Sequence, residues 1–339
     1  MQANERKGYI MANKANQKTT ITSFLAKYWL ILFAVLVGIA FGLVENRFFQ
    51  FTNLLNILGS ACVSAIAGIG LTCIMSVGEM DFAAGTEMSL GCVLMVWILK
   101  NTPVNNYLLT VLLTLVILAV VGLVNSFLHI KIGMPAFIAT MGTSYLINGV
   151  NKGLTGGKSM LGVGSTLAKE FNFIGQKYLF GVIPMPMVML IIVGTVVLIY
   201  TERTRSGKHL YAVGSNPQAC KYIGINANKE KIKGFVLCSV LCGFAGILQG
   251  SMVNGATASI GDNSMISSIT VLMLGATFVK MGVFNVPGTI VGAVLLAIVN
   301  NGLTMVGADS YVKSFVQGFI LFGAVTVVVV LKKRLSKSV

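Results

Sequence analysis

The chain has 339 residues, of which 55% are hydrophobic and only 10% charged, with 25 Lys+Arg against 10 Asp+Glu. A water-soluble domain carries about 25% charged residues, so a soluble multi-domain protein is excluded. The net charge of +15 does not indicate a nucleic-acid partner, because apolar runs too long for a groove-binding module separate the basic residues. What remains is an integral membrane protein, and the open classes are transporter, channel and membrane enzyme.

A span needs about 20 mostly apolar residues. By that measure ten spans are predicted, at 28–44, 55–77, 86–99, 107–127, 132–150, 184–200, 232–249, 265–279, 287–303 and 311–331. The third and eighth are short, and are expected to be tilted, broken or partly re-entrant. The 38 glycines suit helices that approach closely through small residues. With a cytoplasmic N-terminus, inside segments collect 18 of the 25 basic residues: five before residue 28, Lys131, seven in 203–233, Lys280 and four at the C-terminal end. The positive-inside rule then puts both termini in the cytoplasm. The first 27 residues are expected to form a cytoplasmic tail, residues 28–331 the transmembrane domain with a cytoplasmic loop at 201–231, and 332–339 a basic tail. The first span reads as an uncleaved signal anchor, with cleavage near residues 38–40 as the alternative.

The six cysteines form no C-x-x-C pair, and five lie inside apolar runs, where they pack as small apolar residues. Two isolated histidines, His129 and His209, supply no metal site. Gly157-Lys158-Ser159 ends like a P-loop, but Lys152 stands where the first glycine is required. The chain is therefore expected to bind no nucleotide and no metal.

Three of the ten acidic residues, Glu79, Asp81 and Glu87, fall within nine positions. A carboxylate at the centre of a span costs about 2.5–3.5 kcal/mol. The cluster therefore belongs at a span break, which Gly78 and Gly85 permit, and it is either a solvated hairpin or part of a gate. Asn148, Asn254, Asn300 and Asn301 are amides in or beside spans. They either bridge helices or bond a polar solute, and Phe82 and Phe137 could stack on the apolar face of a sugar.

In the loop 201–231, Ser215 or Asn216 can cap a helix with Pro217 at its first position. Gln218 to Ile223 make about two turns, and Gly224 is a left-handed stop. On composition alone this is either an interfacial helix whose lysines meet anionic lipid, or a docking helix for a cytoplasmic partner. The stretch AVGSNPQACKYIGIN resembles the coupling segment of bacterial ABC sugar importer permeases of the ribose/xylose/galactose type, in the branched-chain amino acid/sugar permease superfamily. Their pattern is roughly A-x-G-x-N-x-x-A-A-x-x-x-G-I; Ala212, Gly214, Asn216, Ala219, Gly224 and Ile225 match it, and Cys220 replaces a second Ala. FTNLLNIL (51–58), GEMDFAAGTEMSLG (78–91), MPAFIATMGTSYLINGV (134–150) and VPGTIVGAVLLAIVNNGL (286–303) extend the resemblance over the membrane part.

The resemblance implies an all-α permease of about ten spans, with inverted repeats over spans two to five and seven to ten. It further implies a separate ABC ATPase subunit, which binds ATP and Mg and docks on Ser215, Asn216, Pro217, Ala219, Cys220, Lys221 and Gly224. A second permease subunit, identical or not, and an extracytoplasmic solute-binding protein are the other implied partners, with a sugar-like substrate and a plasma-membrane location. The expected pathway residues are Glu79, Asp81, Phe82, Phe137, Asn300 and Asn301. Two departures bear on substrate. Glu79 to Thr86 read E-M-D-F-A-A-G-T where G-I-D-L-S-V-G-S is usual, and residues 274–284 lack the usual paired glycines. They leave room for a nucleoside or other polar solute. The rival class is an ion-coupled secondary transporter, which needs titratable groups deep in the bilayer.

Overall fold

The computed structural model describes residues 28–104, 106–162, 168–279 and 282–336. The basic N-terminal segment, Lys280 and the side chains of the C-terminal basic cluster, which carry part of the charge asymmetry, lie outside the described residues.

Helices stand at all ten positions read as spans. They are α1 (Tyr28–Val44), α2 (Phe51–Ser76), α3 (Ala84–Asn101), α4 (Tyr107–Ile130), α5 (Ala136–Thr155), α7 (Met185–Arg203), α10 (Ala227–Val253), α11 (Asp262–Gly275), α12 (Val286–Met305) and α13 (Ser310–Ser336). Three further helices lie between them: α6 (Ala168–Gln176), α8 (Arg205–Ser215) and α9 (Pro217–Tyr222). The fifth span is shifted by four residues from its predicted start. Gly133 at φ +83° and Pro135 keep the chain extended until Ala136, and the helix then runs to a left-handed Gly156. The last helix likewise continues past residue 331 to Ser336.

Among the described residues, six helices are long and apolar enough to cross a bilayer: α2, α4, α7, α10, α12 and the part of α13 up to Val329. In α4 burial runs opposite to that of a soluble helix. The buried residues of α4 are Thr110, Thr114, Leu118, Gly122, Asn125 and Ser126, while Leu108, Leu112, Val116, Val120 and Phe127 face outward. A helix that turns small and polar residues inward and leucine outward is built for a hydrocarbon surround.

The centre is α2, enclosed by α7, α10, α11 and α12, while α10 also packs on α3 and α4. Glycine sets the separations. A Cβ on Gly91 of α3 would collide with the Gly243 backbone of α10, and one on Gly246 with the Met88 carbonyl. The starts of α3 and α11 abut in the same way: a Cβ on Gly85 would lie 3.0 Å from the Gly261 carbonyl oxygen. At the far end from α8 and α9, β1 (Met160–Leu161) pairs antiparallel with β4 (Gly255–Ala256), and β2 (Tyr178–Leu179) with β3 (Ile183–Pro184). All six cysteines are free and buried.

Overpacking a tight contact costs about 1–3 kcal/mol. Gly91→Val is therefore expected to lower the thermal unfolding midpoint in detergent, whereas Gly142→Ala, which meets open space, leaves it unchanged.

Candidate functional site: a docking surface and the connector beneath it

The loop between α7 and α10 folds as two helices rather than the one expected. Thr204 caps α8, its hydroxyl accepting from Gly207 N at 3.0 Å, and Gly207, Leu210 and Val213 seat α8 against the bundle. Polar composition hid this helix, since its inward face holds only three residues. Asn216 is the cap of α9, its Oδ1 accepting from Ala219 N at 2.9 Å, with Pro217 at the first position. Gly224 takes φ +78° just past the end. On α9, Cys220 is buried and anchors the helix, while Ser215, Asn216, Pro217, Ala219, Lys221 and Gly224 are exposed. Tyr222 and Ile223 stand out most, at 89% and 73% exposure. Beside them Pro217, Gln218, Lys221 and Asn226 help line a polar hollow of about 520 Å³.

Beneath this surface runs the connector from α2 to α3, residues 77–83. Gly78 turns it at φ +85°, and Gly214 at the end of α8 lies so close that a Cβ there would strike the Ser76 carbonyl. Glu79 Oε1 pairs with Lys231 Nζ at 2.5 Å and with His129 Nε2 at 3.1 Å. Neither partner is near Glu79 in sequence, so the pairing was not readable there. Asp81 is fully buried, and its Oδ1 accepts from Ala83 N at 2.8 Å at the start of α3, where a helix dipole favours negative charge. The Phe82 ring meets the Phe137 ring edge-on at 5.2 Å, and Phe82 N donates to Thr140 Oγ1 at 3.1 Å.

Glu79, Asp81, Phe82 and Phe137 are thus brought together at the end of the bundle that holds α8 and α9. Asn300 and Asn301 are not with them. Asn301 exchanges two 3.0 Å amide bonds with Asn53 of α2, and Asn300 Oδ1 accepts from Gln317 of α13 at 3.0 Å. Both amides join helices.

A polar cluster that the sequence reading did not assemble lies deeper. Glu87 of α3 is fully buried, and its Oε1 accepts from Ser239 Oγ of α10 at 2.7 Å and from Asn125 Nδ2 of α4 at 3.4 Å. The Asn125 amide also lies beside the Asp81 carboxyl. Ser239 is eight residues beyond Lys231 on α10, which puts the cluster about 12 Å further into the bundle. Oε2 of Glu87 has no hydrogen-bond partner among the described residues. Glu87→Gln keeps the acceptor for both donors at nearly the same size, so it is expected to stay close to the wild-type thermal midpoint. Glu87→Ala strands two buried donors, at about 1–3 kcal/mol each, and is expected to lower the midpoint by several degrees.

A family profile described as "Branched-chain amino acid transport system / permease component" matches residues 53–325. The chain is 31% identical to the ribose import permease protein RbsC of Escherichia coli K12 over 309 residues, covering 90% of this chain and 95% of that protein. It is 28% identical to RbsC of Haemophilus influenzae, over 87% of this chain and 90% of that one. It is 27% identical to the galactose/methyl galactoside import permease protein MglC of Haemophilus influenzae, over 89% and 93%. No solved structure matches the chain. A match of this kind over 90% of the chain, on a bundle with six helices long and apolar enough to cross a bilayer among the described residues, makes the chain a multi-pass membrane protein that belongs to the family of branched-chain amino acid transport system permease components.

Proposed function

We propose that this chain is the permease subunit of a bacterial ATP-binding cassette importer for a sugar or similar polar solute. The observation that carries the reading is the 31% identity to a ribose import permease over 90% of the chain. It gains support from α9, a capped two-turn helix whose Tyr222 and Ile223 stand in the open at one end of the bundle. An exposed aromatic–aliphatic pair on a rigid helix is what a groove in a partner grips.

In this reading all ten spans cross the plasma membrane, with both termini, residues 1–27 and 332–339, and the 201–231 loop in the cytoplasm. The inverted repeat is supported by the abutting starts of α3 and α11, two short helices that approach from opposite ends. Helices that begin inside the bundle in this way place a solute site near the repeat interface. A second permease subunit completes the pathway, an extracytoplasmic protein delivers the solute, and an ATPase subunit holding ATP and Mg docks on residues 215–224. Closure of the ATPases on ATP displaces α8 and α9 together and changes which side of the membrane the pathway faces. Asp81, Phe82 and Phe137 then sit at its cytoplasmic mouth.

The test is co-expression of the chain with its candidate ATPase. The two are expected to co-purify and to drive ATP-dependent sugar uptake in proteoliposomes. Tyr222→Ala is expected to weaken ATPase association about ten-fold or more, with normal accumulation of the permease in the membrane. Ala219→Trp is expected to uncouple uptake in the same background. Unchanged ATP-driven uptake in both variants counts against α9 as the docking helix, and uptake driven by a proton or sodium gradient without the ATPase counts against the importer.

A further inference from the structure

The Glu79 cluster joins one flank of the docking loop, through Lys231 of α10, to the connector that holds Asp81 and Phe82. Lys231 is the fifth residue of α10, which begins only five residues after α9 ends and is capped by Asn226, whose Oδ1 accepts from Lys229 N at 3.2 Å. A displacement of α9 therefore reaches Lys231 through a short and ordered path. On the other flank, Gly214 of α8 rests against the backbone of Ser76 and Gly78. The connector is gripped from both sides of the docking helix.

Three charged or titratable side chains from three separate elements meet at one oxygen. Glu79 Oε1 lies 2.5 Å from Lys231 Nζ and 3.1 Å from His129 Nε2, and those two nitrogens are 3.3 Å apart. His129 Nδ1 donates to the Met134 carbonyl at 2.8 Å, which fixes the ring and leaves Nε2 facing the pair. The cluster is largely shielded, with 18% of the Glu79 side chain and 21% of the Lys231 side chain exposed. An ion pair in such a place is screened far less than one on an open surface. Glu79 is also one of the positions where this chain departs from the pattern it resembles, which carries glycine there. Glycine cannot form this contact.

We propose that Glu79, Lys231 and His129 act as a transmission contact. They pass the movement of the docking helix to the connector and so set the position of Ala83 and of the Phe82–Phe137 ring contact. All three are positioning residues. The inference rests on the proposed importer, but its first readout needs no ATPase.

That readout is the maleimide labelling rate of Ala83→Cys in the full chain in lipid nanodiscs. Ala83 is fully buried, as are the six native cysteines, so the background is low. Adding Glu79→Gln or Lys231→Gln is expected to raise the rate about five-fold or more, and the exchange of Glu79→Lys with Lys231→Glu to return it to within about two-fold of the reporter alone. Rates in both single variants within about two-fold of the reporter overturn the proposal, as does an exchange that accumulates without recovery.

The second readout is uptake per ATP hydrolysed in the assembled complex. It is expected to fall about five-fold in Glu79→Gln with ATP hydrolysis retained, and to recover in the exchange. An unchanged ratio overturns the transmission role. Failure of the wild-type chain to assemble with an ATPase overturns the importer reading alone, because the labelling comparison still decides the contact. Where one single variant does not accumulate, the other and the exchange supply the same comparison.

Discussion

Two helices that start inside the bundle impose the constraint on which the rest of the structure depends. In a hydrocarbon surround, every backbone N–H and C=O needs an internal partner, and a helix start leaves donors without one. α3 and α11 both begin where they touch, at Gly85 and Gly261. Their starts are served by side chains: Asp81 Oδ1 takes the Ala83 N–H, and Ser89 Oγ takes the Gly261 N–H at 2.9 Å. The absence of side chains at 85 and 261 lets the two backbones come close enough for the Ser89–Gly261 bond. Further along, Gly275 of α11 meets Gly288 of α12 in the same manner, so the position of α11 passes directly to α12.

Within an interior that is mostly apolar, the buried polar groups find one another. Glu87, Asn125 and Ser239 come from three helices and find one another because each would be costly against lipid. Thr72 of α2 and Thr289 of α12 bond across the centre at 2.8 Å for the same reason. Interhelical bonds of this kind are worth only about 0.6 kcal/mol each. Their role is therefore to select one packing among many, while the close glycine contacts supply dispersion energy. The amides Asn300 and Asn301 belong to this set. Their bonds to Gln317 and Asn53 tie α12 to its neighbours.

The candidate docking surface and the Glu79 contacts lie at one end of the bundle. The docking surface is a small helix held by one buried side chain, Cys220, with its other residues in the open. Directly below it the connector carries the buried Asp81, an aromatic contact with α5, an ion pair with Lys231 of α10 and a contact with His129 of α4. The proposed importer needs those two levels to move together, and they are joined by short covalent and ionic paths.

Much of this was legible in the sequence because the determining interactions are local. Apolar runs located the ten helices that stand at the predicted span positions, six of which are long and apolar enough to cross a bilayer among the described residues. The α9 helix was readable residue by residue, because capping by Asn216, the proline at 217 and the left-handed Gly224 act within a few positions. Other features were not legible. α8 has too few apolar residues to show a period. Glu79 reaches Lys231 across 152 positions, as Ser239 reaches Glu87. Asn53 meets Asn301 across 248. The composition of 55% hydrophobic and 10% charged residues determined the class of protein, and the order of residues its apolar helices and local caps. Which buried polar group answers which was decided only by the tertiary structure, because those pairings depend on how the helices pack and not on any neighbourhood in the chain.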